Sequence, residues 1–497
     1  MLGKLMKNKM IIQPTVRVLS NDQKSRIHSD ALKILSSVGI RVESSLAREI
    51  YKKVIGSKAI KNEIVHIPSE IIETALKTAP SALDIYNRKG KKCIHLPGEA
   101  RFGLGVTTLY YQNPETDELS SFSRKHVKTC VRLGDTLASY DFVATPGILQ
   151  DVPPDTAALY TALEMIAHTT KPLVILVSRT EALSEVLDLL ENLHGDLSTK
   201  PFVIPLMTPI TPLFIDAGTF DRMFATIERG LPFIYVNYGM AGVSTPITPY
   251  GSLTLLIAEI LAGITLSQLV HAGTPLIAGC LSAFMDMRTM VNFYDPVSYQ
   301  LNLACAEMMA FYQIPHYGNS GNAVGWGADL IAAGHQWMNH VLACLGTAGM
   351  AVFVGTVLGS KVFSPKLAVY ADEVIEQARL MARGIEVDDD ISLMREIAAA
   401  GPAGNFLSSD LTLKNFRQSY FKSAIFPRFT MEDWQSHGYP KAEAHLSRFT
   451  KALIEDLNPS DECFAMIEKG EAFITRNLKS RSKMQDQSGK YSGNISP

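Results

Sequence analysis

From about residue 101 onward the chain repeats one unit: a short apolar run, a turn closing on Gly, Pro, Asn or Thr, and an amphipathic stretch of several helical turns. Such alternation implies parallel strands joined by helical crossovers, because a parallel neighbour needs a long connection back across the sheet. The apolar runs fall near Arg101–Gly105, Phe142–Ile148, Leu173–Val177, Phe202–Leu206, Phe233–Val236, Leu276–Gly279, Pro315–Gly318 and Ala351–Val354. Eight is the number that closes a barrel, so the expected fold is α/β, a (β/α)8 TIM barrel. The segments between, such as Asp155–His168, Gly251–Ala272 and Leu330–Leu345, carry apolar residues at three- and four-residue spacings and are expected to form the outer ring of helices.

Residues 1–100 read as an N-terminal α+β cap, with helices from about Asp22 to Val38 and Ser44 to Val54 and strands around Ile64–Ile67 and Ala82–Tyr86. The barrel is assigned to 101–385. A C-terminal helical extension follows over 386–480, with helices at Asp389–Ala399 and Lys441–Asp456. The polar stretch 481–497 holds too little apolar surface to offset ordering and is expected to be disordered. Charge is spread so evenly that no Lys/Arg-rich run stands out, which argues against nucleic acid as a partner. The segment Met1–Ile12 is basic but lacks the apolar stretch of a signal peptide. The most apolar stretch, Leu253–Leu269, is broken by Glu259, Thr265, Ser267 and Gln268, so it reads as a core helix rather than a membrane span. A cytoplasmic location is expected. The six cysteines stand far apart without a CxxC pair, a pattern of reduced thiols, and no bound metal is predicted.

The common phosphate-binding and hydrolase signatures are absent: no P-loop, no GxGxxG after a strand, no GxSxG and no HExxH. The turns that follow the strands build the active face of a barrel, and here they supply mainly aromatic and small polar groups. Tyr110, Tyr238, Phe284, Tyr317 and Trp326 are candidates to line a binding site, joined by Asp286, Asp329 and His335. Aromatic faces hold a quaternary ammonium by their ring quadrupoles, worth roughly 1–2 kcal/mol per ring when desolvated. Each of these side chains could instead pack against a helix, Asp286 could pair with Arg288, and His335 could be a satisfied core histidine.

Several segments in series, His28–Glu43, Gln150–Pro154, Thr169–Pro172, Ala241–Pro249, Met285–Thr289, Ala382–Asp388, Gly401–Leu407 and Glu432–Gly438, resemble the trimethylamine methyltransferase family. The resemblance implies a barrel that takes a methyl group from a methylated amine and hands it to Co(I) of a cognate corrinoid protein. None of the twelve histidines sits in an Asp-x-His-x-x-Gly corrinoid-binding pattern, so the corrinoid (cobalamin) is expected on a separate partner. Founding members carry pyrrolysine around the segment that here reads Gly325–Trp337, where only standard residues occur. A tertiary amine would have to leave as an amide anion, whereas a quaternary amine leaves as a neutral tertiary amine and needs binding and alignment alone. The resemblance therefore points to the non-pyrrolysine branch and a betaine-like quaternary amine. Against the family's usual wording, Ser298 stands where Glu is expected, and Ala333–Gln336 reads Ala-Gly-His-Gln in place of Ala-Gly-Tyr-Glu. A non-catalytic quaternary-amine binder, a trimethylamine-type enzyme and a zinc-assisted methyltransferase remain the alternatives. A homo-oligomer is compatible with a barrel of this size.

Overall fold

In the computed structural model the described residues are 10–177, 180–387 and 391–491. Eight parallel strands are each followed by a helix. They are β1 (Arg101–Leu104) and α1 (Arg124–Thr136), β2 (Tyr140–Ala144) and α2 (Ala157–His168), β3 (Leu173–Leu176) and α3 (Thr180–His194), and β4 (Val203–Met207) and α4 (Ala217–Glu228). The second half comprises β5 (Phe233–Ala241) and α5 (Pro249–Val270), β6 (Leu276–Asp286) and α6 (Pro296–Tyr312), β7 (Tyr317–Asn319) and α7 (Leu330–Leu345), and β8 (Met350–Val354) and α8 (Pro365–Ala382). All eight runs expected from the sequence are strands of one curled sheet of nine. Its order is β6-β5-β4-β3-β2-β1-β8-β7, with the short antiparallel strand Val291–Phe293 on the outer edge of β6. Its two ends approach one another. An isolated parallel bridge joins Ala278 of β6 to His316, and the Ala278 N–H donates to the Pro315 carbonyl at 2.9 Å.

Period-two alternation decides what each strand residue touches. Phe142, Val174, Ile204, Ile234, Val236, Leu281, Tyr317, Met350 and Val352 share one cluster inside the curl, while Val143, Leu173, Val203, Phe233 and Leu276 face the helices. Two strand glycines make close approaches that a side chain would block. A Cβ at Gly103 would lie 2.0 Å from the Phe142 ring, and one at Gly279 would lie 1.8 Å from the Tyr317 carbonyl oxygen, where β6 nears β7. The strand expected at Phe142–Ile148 starts and ends earlier. Thr145 still donates its N–H to the Val174 carbonyl of β3 at 3.0 Å, and the ladder stops at Pro146, which has no N–H to donate.

The N-terminal segment supplies helices Asn21–Lys33, Ser45–Ile55 and Ser69–Thr78, the last not foreseen, and a hairpin of Leu83–Tyr86 with Lys92–Leu96. Leu83, Ile85, Ile94 and Leu96 of that hairpin join the interior cluster, and its backbone bonds to Pro201 and Thr170 just ahead of β4 and β3. The hairpin thus closes the strand N-terminal end. Helix α5 is the one helix among the described residues long and apolar enough to cross a membrane, yet 83% of that apolar window is buried inside the protein. It packs between the sheet and the N-terminal helices, as the core-helix reading expects.

After α8 come helices Ile391–Ala400, Asp410–Asn415, Met431–Ser436, Ala442–Glu455 and Asp461–Tyr491. The helix expected at Asp389–Ala399 is visible from Ile391, residues 388–390 lying outside the described residues. The disorder expected from 481 is corrected over 481–491, where the backbone is helical. Lys, Arg, Met and Gln in that stretch are good helix formers, a preference that a composition-based reading overlooks. The remainder of that tail, 492–497, and the basic residues 1–9 lie outside the described residues.

Candidate active site at the strand C-terminal ends

Strands β5 and β6 run past their neighbours, paired from Phe233–Leu276 through Ala241–Phe284, and so raise a wall over one side of the sheet's C-terminal end. Beyond Phe284 the chain turns back, setting Phe293 opposite Phe284 with ring centroids 6.1 Å apart. Asp286 makes that turn. Its Oδ1 accepts from the backbone N–H groups of Arg288 at 2.8 Å and Thr289 at 3.4 Å, which hold the carboxyl below its ordinary value. The sequence-level pairing with Arg288 is thus made by the arginine's backbone.

Across the mouth, Tyr110 sits on a strand, Tyr110–Gln112, that pairs with Val362–Phe363 after β8. Trp326 is fixed at both backbone ends: its N–H donates to Asp329 Oδ2 at 2.7 Å and its carbonyl accepts from Gln112 Nε2 at 3.0 Å. Asp329 also caps α7, accepting from the Ala332 N–H at 2.8 Å. These supports bring Tyr110, Trp326, Phe293, Asn292, Val362 and Lys361 around one cavity of about 390 Å³. Phe293 and Asn292 were not among the sequence candidates. Their signal was the alternating run Val291-Asn-Phe293, which reads as a strand only once β6 is seen to extend.

Asn292 links this outer cavity to an inner tier, donating from Nδ2 to the Tyr238 hydroxyl at 3.1 Å. Tyr238 packs with Tyr294 and Tyr299, and the Tyr238 and Tyr294 hydroxyls interact. Burial raises both phenols above their ordinary value, so they stay protonated and neutral. His335 stands edge-on to Tyr299 with ring centroids 6.1 Å apart. Burial lowers its pKa, and its Nδ1 has no partner. Tyr317 lies in the sheet interior, away from the outer aromatics, its hydroxyl unpartnered. Two residues further along β7, Asn319 Oδ1 is also buried without a partner. Buried polar atoms are paired in the great majority of cases, so these two mark where a polar ligand group would sit.

A buried network fixes the loop after β7. Asn302 of α6 brackets Asn319, with Nδ2 to the Asn319 carbonyl and the Asn319 N–H to Oδ1, both 3.0 Å. Gln336 Nε2 donates to the Gly321 carbonyl at 2.8 Å. His340 lies 2.7 Å from both Gln336 Oε1 and Ser320 Oγ. Because the Gln336 amide spends its N–H on Gly321, its oxygen must accept from His340 Nε2–H, and Ser320 must donate to Nδ1. Burial pushes the His340 pKa down to about 3, so the ring is neutral. The departure at Ser298 has a structural account as well: Ser298 and Asp295 form a capping box at the start of α6.

On the other side, Glu259 of α5 is 1% exposed and gathers three donors, Thr211 Oγ1 at 2.8 Å, the Leu213 N–H at 2.6 Å and Asn237 Nδ2 at 2.6 Å. It anchors the loop after β4 to β5, and burial raises its pKa to about 7. The structure therefore gathers Tyr110 with Trp326, sets Tyr238 and His335 beside Tyr299, and leaves Phe284 against Phe293 and the helix-side cluster. It uses Asp286 and Asp329 to shape loops, and leaves Tyr317 inside. Among the described residues no three His, Cys, Asp or Glu side chains are grouped so as to hold a metal ion, and the zinc-assisted alternative has no ligand set there.

Comparison with known proteins places these features. The family model described as trimethylamine methyltransferase (MTTB) matches residues 3–481. The chain is 27% identical over 448 residues to the trimethylamine methyltransferase MttB of Desulfitobacterium hafniense (strain DSM 10664 / DCB-2), covering 88% of this chain and 90% of that protein. It is 25% identical over 462 residues to the glycine betaine methyltransferase of Desulfitobacterium hafniense (strain Y51), covering 90% and 94%. With the proline betaine:corrinoid methyltransferase of Eubacterium limosum it shares 25% identity, covering 81% and 85%. Among solved structures, the monomethylamine methyltransferase MtmB of Methanosarcina barkeri superposes with a TM-score of 0.51 over 89% of both chains at 11% identity, a likeness of fold alone.

Proposed function

The chain belongs to the trimethylamine methyltransferase family, and from that premise we propose that it moves a methyl group from a quaternary, betaine-like amine to Co(I) of a corrinoid carried by a separate protein. The observation that carries this reading is the aromatic cavity of Tyr110, Phe293 and Trp326, continuous through Asn292 with the neutral tier of Tyr238 and Tyr294. A quaternary ammonium has no N–H to donate, and ring faces are the neutral surface that attracts it. Its leaving group is a neutral amine, so no proton need move. The inner tier agrees in that its phenols are protonated, and His340 in the network behind the loop after β7 is neutral. The protein's contribution is to desolvate the cation, orient one N–CH3 bond outward and exclude water.

The outward direction requires an acceptor that docks on the strand C-terminal rim. Leu109, Ile148, Ile210, Ile247 and Met290, from loops that follow the strands, and Leu330 at the start of α7 are exposed. An apolar ring around a site opening suits a protein partner that brings the corrinoid to the cavity. The Ala278–His316 bridge supports reading the curled sheet as a closed (β/α)8 barrel. The domains then run as an α+β cap to residue 100, a barrel over 101–385 and a C-terminal extension from 386. In that extension Met394, Leu407, Leu413, Met431 and Trp434 are exposed, which supports a homo-oligomer that covers them. Location in the cytoplasm suits reduced cysteines, and all six are free.

The test is a cobalt absorbance assay with Co(I) cobalamin and a panel of trimethylamine, glycine betaine, proline betaine, carnitine, butyrobetaine and choline. Methyl transfer from one quaternary amine and not from trimethylamine is the expected result. Tight binding of a quaternary amine with no transfer, alongside an active relative as control, would establish the non-catalytic binder instead.

A further inference from the structure

Residues 393–440 differ from the rest of the chain in how little they bury. Ile425 alone is buried among them, although the stretch includes most of helix Ile391–Ala400 and all of helices Asp410–Asn415 and Met431–Ser436. It is fastened to α8 around that residue. Glu373 accepts from the Ser423 hydroxyl at 2.6 Å and from the backbone N–H groups of Ala424 at 2.7 Å and Ile425 at 3.0 Å, and Phe426 meets Tyr370 edge-on.

The sequence of the stretch is nevertheless patterned for burial. Leu393, Met394 and Ile397 share one face of the first helix, Leu413 and Phe416 stand one turn apart at the second, and Met431 and Trp434 one turn apart on the third. All seven are exposed. Arg417 and Arg428 lie over the rings of Phe416 and Tyr420 at 5.5 and 4.9 Å, and aromatic, Met and Arg side chains together are the residues enriched in protein interfaces. Eleven large apolar side chains between 393 and 439 are at least 40% exposed. At roughly 100 Å² for each half-open side chain they present on the order of 1,000 Å². The largest apolar patch on an ordinary monomer is ~300–600 Å², and each partner in a stable interface contributes ~800 Å².

A stretch without a core of its own does not offset the entropy of ordering its backbone, so its cover must be present whenever it is folded. A corrinoid protein that docks on the strand C-terminal rim and departs with each methyl group does not supply constant cover. Another copy of the same chain does. We propose that residues 393–440 form an arm whose folding is completed by a second copy of this chain, the arms of two protomers covering each other's apolar stripes about a two-fold axis. The proposal rests on the homo-oligomer reading given above and assigns it a surface. In the dissociated chain the arm is unfolded while the barrel stays intact.

Sedimentation equilibrium of the whole protein across a dilution series gives the association midpoint. Limited proteolysis at the same concentrations, with cleavage sites read by mass spectrometry, reports on the arm. The expected result is a dimer or larger assembly whose arm is cut between 393 and 440 only as dilution passes that midpoint. Leu407→Lys with Met431→Lys replaces side chains 81% and 69% exposed, so each chain still folds, and raises the midpoint roughly 100-fold, the scale of losing two interface anchors. Leu330→Lys on the rim, at a residue 93% exposed, leaves the midpoint in place. An assembly unmoved by the arm variant, or dissociated by Leu330→Lys in its stead, overturns the arm and keeps the homo-oligomer. An arm cut equally fast at every concentration does the same. A wild-type protein that is monomeric throughout the series overturns both.

Discussion

The loops at the strand C-terminal ends are held in two different ways, and the difference separates what keeps the site in place from what recognises a ligand. Behind β4 and β7 the supports are buried polar hubs. Glu259 gathers Thr211, Leu213 and Asn237 on one side, and on the other Asn302, Gln336 and His340 fix residues 319–322. In front, the rim presents Tyr110 and Trp326, 41% and 71% exposed, as faces with little packing behind them. A buried hub stabilises only while every member is satisfied, because a stranded donor or acceptor bears its full desolvation cost. An exposed ring contributes little to the fold and is free to serve a ligand. Damage to a hub should therefore appear as lost stability, and damage to the rim as lost affinity.

The largest effect is expected from His340→Leu. It strands Gln336 Oε1 and Ser320 Oγ in a fully buried setting, at a cost of roughly 4 kcal/mol for the two together. Thermal unfolding reads this directly, and a midpoint equal to that of the wild type would show that the network is not a support. Next comes the pH dependence of the Glu259 hub. An ordinary carboxyl near 4.5 is raised here to about 7 by burial. Between those values the folded protein keeps a proton that the unfolded chain has released. Stability is then highest below that window, falls by roughly 3 kcal/mol as pH rises through it, and is level above it. In Glu259→Gln that slope should be gone. A wild-type stability that is flat or rising from pH 4.5 to 7 would contradict the raised carboxyl.

The two kinds of support also differ in how far they could be read from the sequence. The strands were legible because each is an apolar run bounded by turn residues, and Val174, Ile204 and Val352 lie where period two puts them. Tyr110, Tyr238 and Trp326 were singled out by position in the loops after strands; Tyr110 and Trp326 line one cavity, whereas Tyr238 lies within β5 and packs on Tyr294 and Tyr299. The hubs were not legible. Asn302, Gln336 and His340 are polar residues on helices, and nothing local marks which of them turns inward to meet a backbone group far away in the chain. Phe293 escaped because β6 runs on to Asp286 and folds back, a register set by contact with β5 rather than by any feature of residues 280–293 themselves. Asp286 and Asp329, chosen as charges near a site, prove to be bonded to backbone N–H groups, the commonest employment of an aspartate in a turn or at a helix start.

On the rim, Trp326→Ala should leave the unfolding midpoint unchanged and weaken binding of a quaternary amine by about tenfold, the loss of one cation–π contact of roughly 1–2 kcal/mol. Calorimetric titration with the amine identified by the cobalt assay measures it. A destabilised protein with unchanged affinity would reverse the comparison and make Trp326 a support.

Asn292 is the residue on which the division between hub and rim is finest, because it belongs to both. It lines the outer cavity, yet its Nδ2 bonds the hydroxyl of the half-buried Tyr238 at 3.1 Å. If its role is to tie the two tiers together, Asn292→Ala removes one neutral hydrogen bond of about 1 kcal/mol. Tyr238 still has Tyr294 beside it, so the fold should barely register the change. The ligand should register it more, since Tyr238 then loses the bond that fixes its ring toward the cavity. A fall in affinity of about fivefold is expected, smaller than that of Trp326→Ala because a ring is misplaced and not removed. The double variant with Tyr238→Phe separates the two readings. If Asn292 acts through the Tyr238 hydroxyl, adding Asn292→Ala to Tyr238→Phe changes affinity little further. Fully additive losses would mean that Asn292 touches the ligand itself.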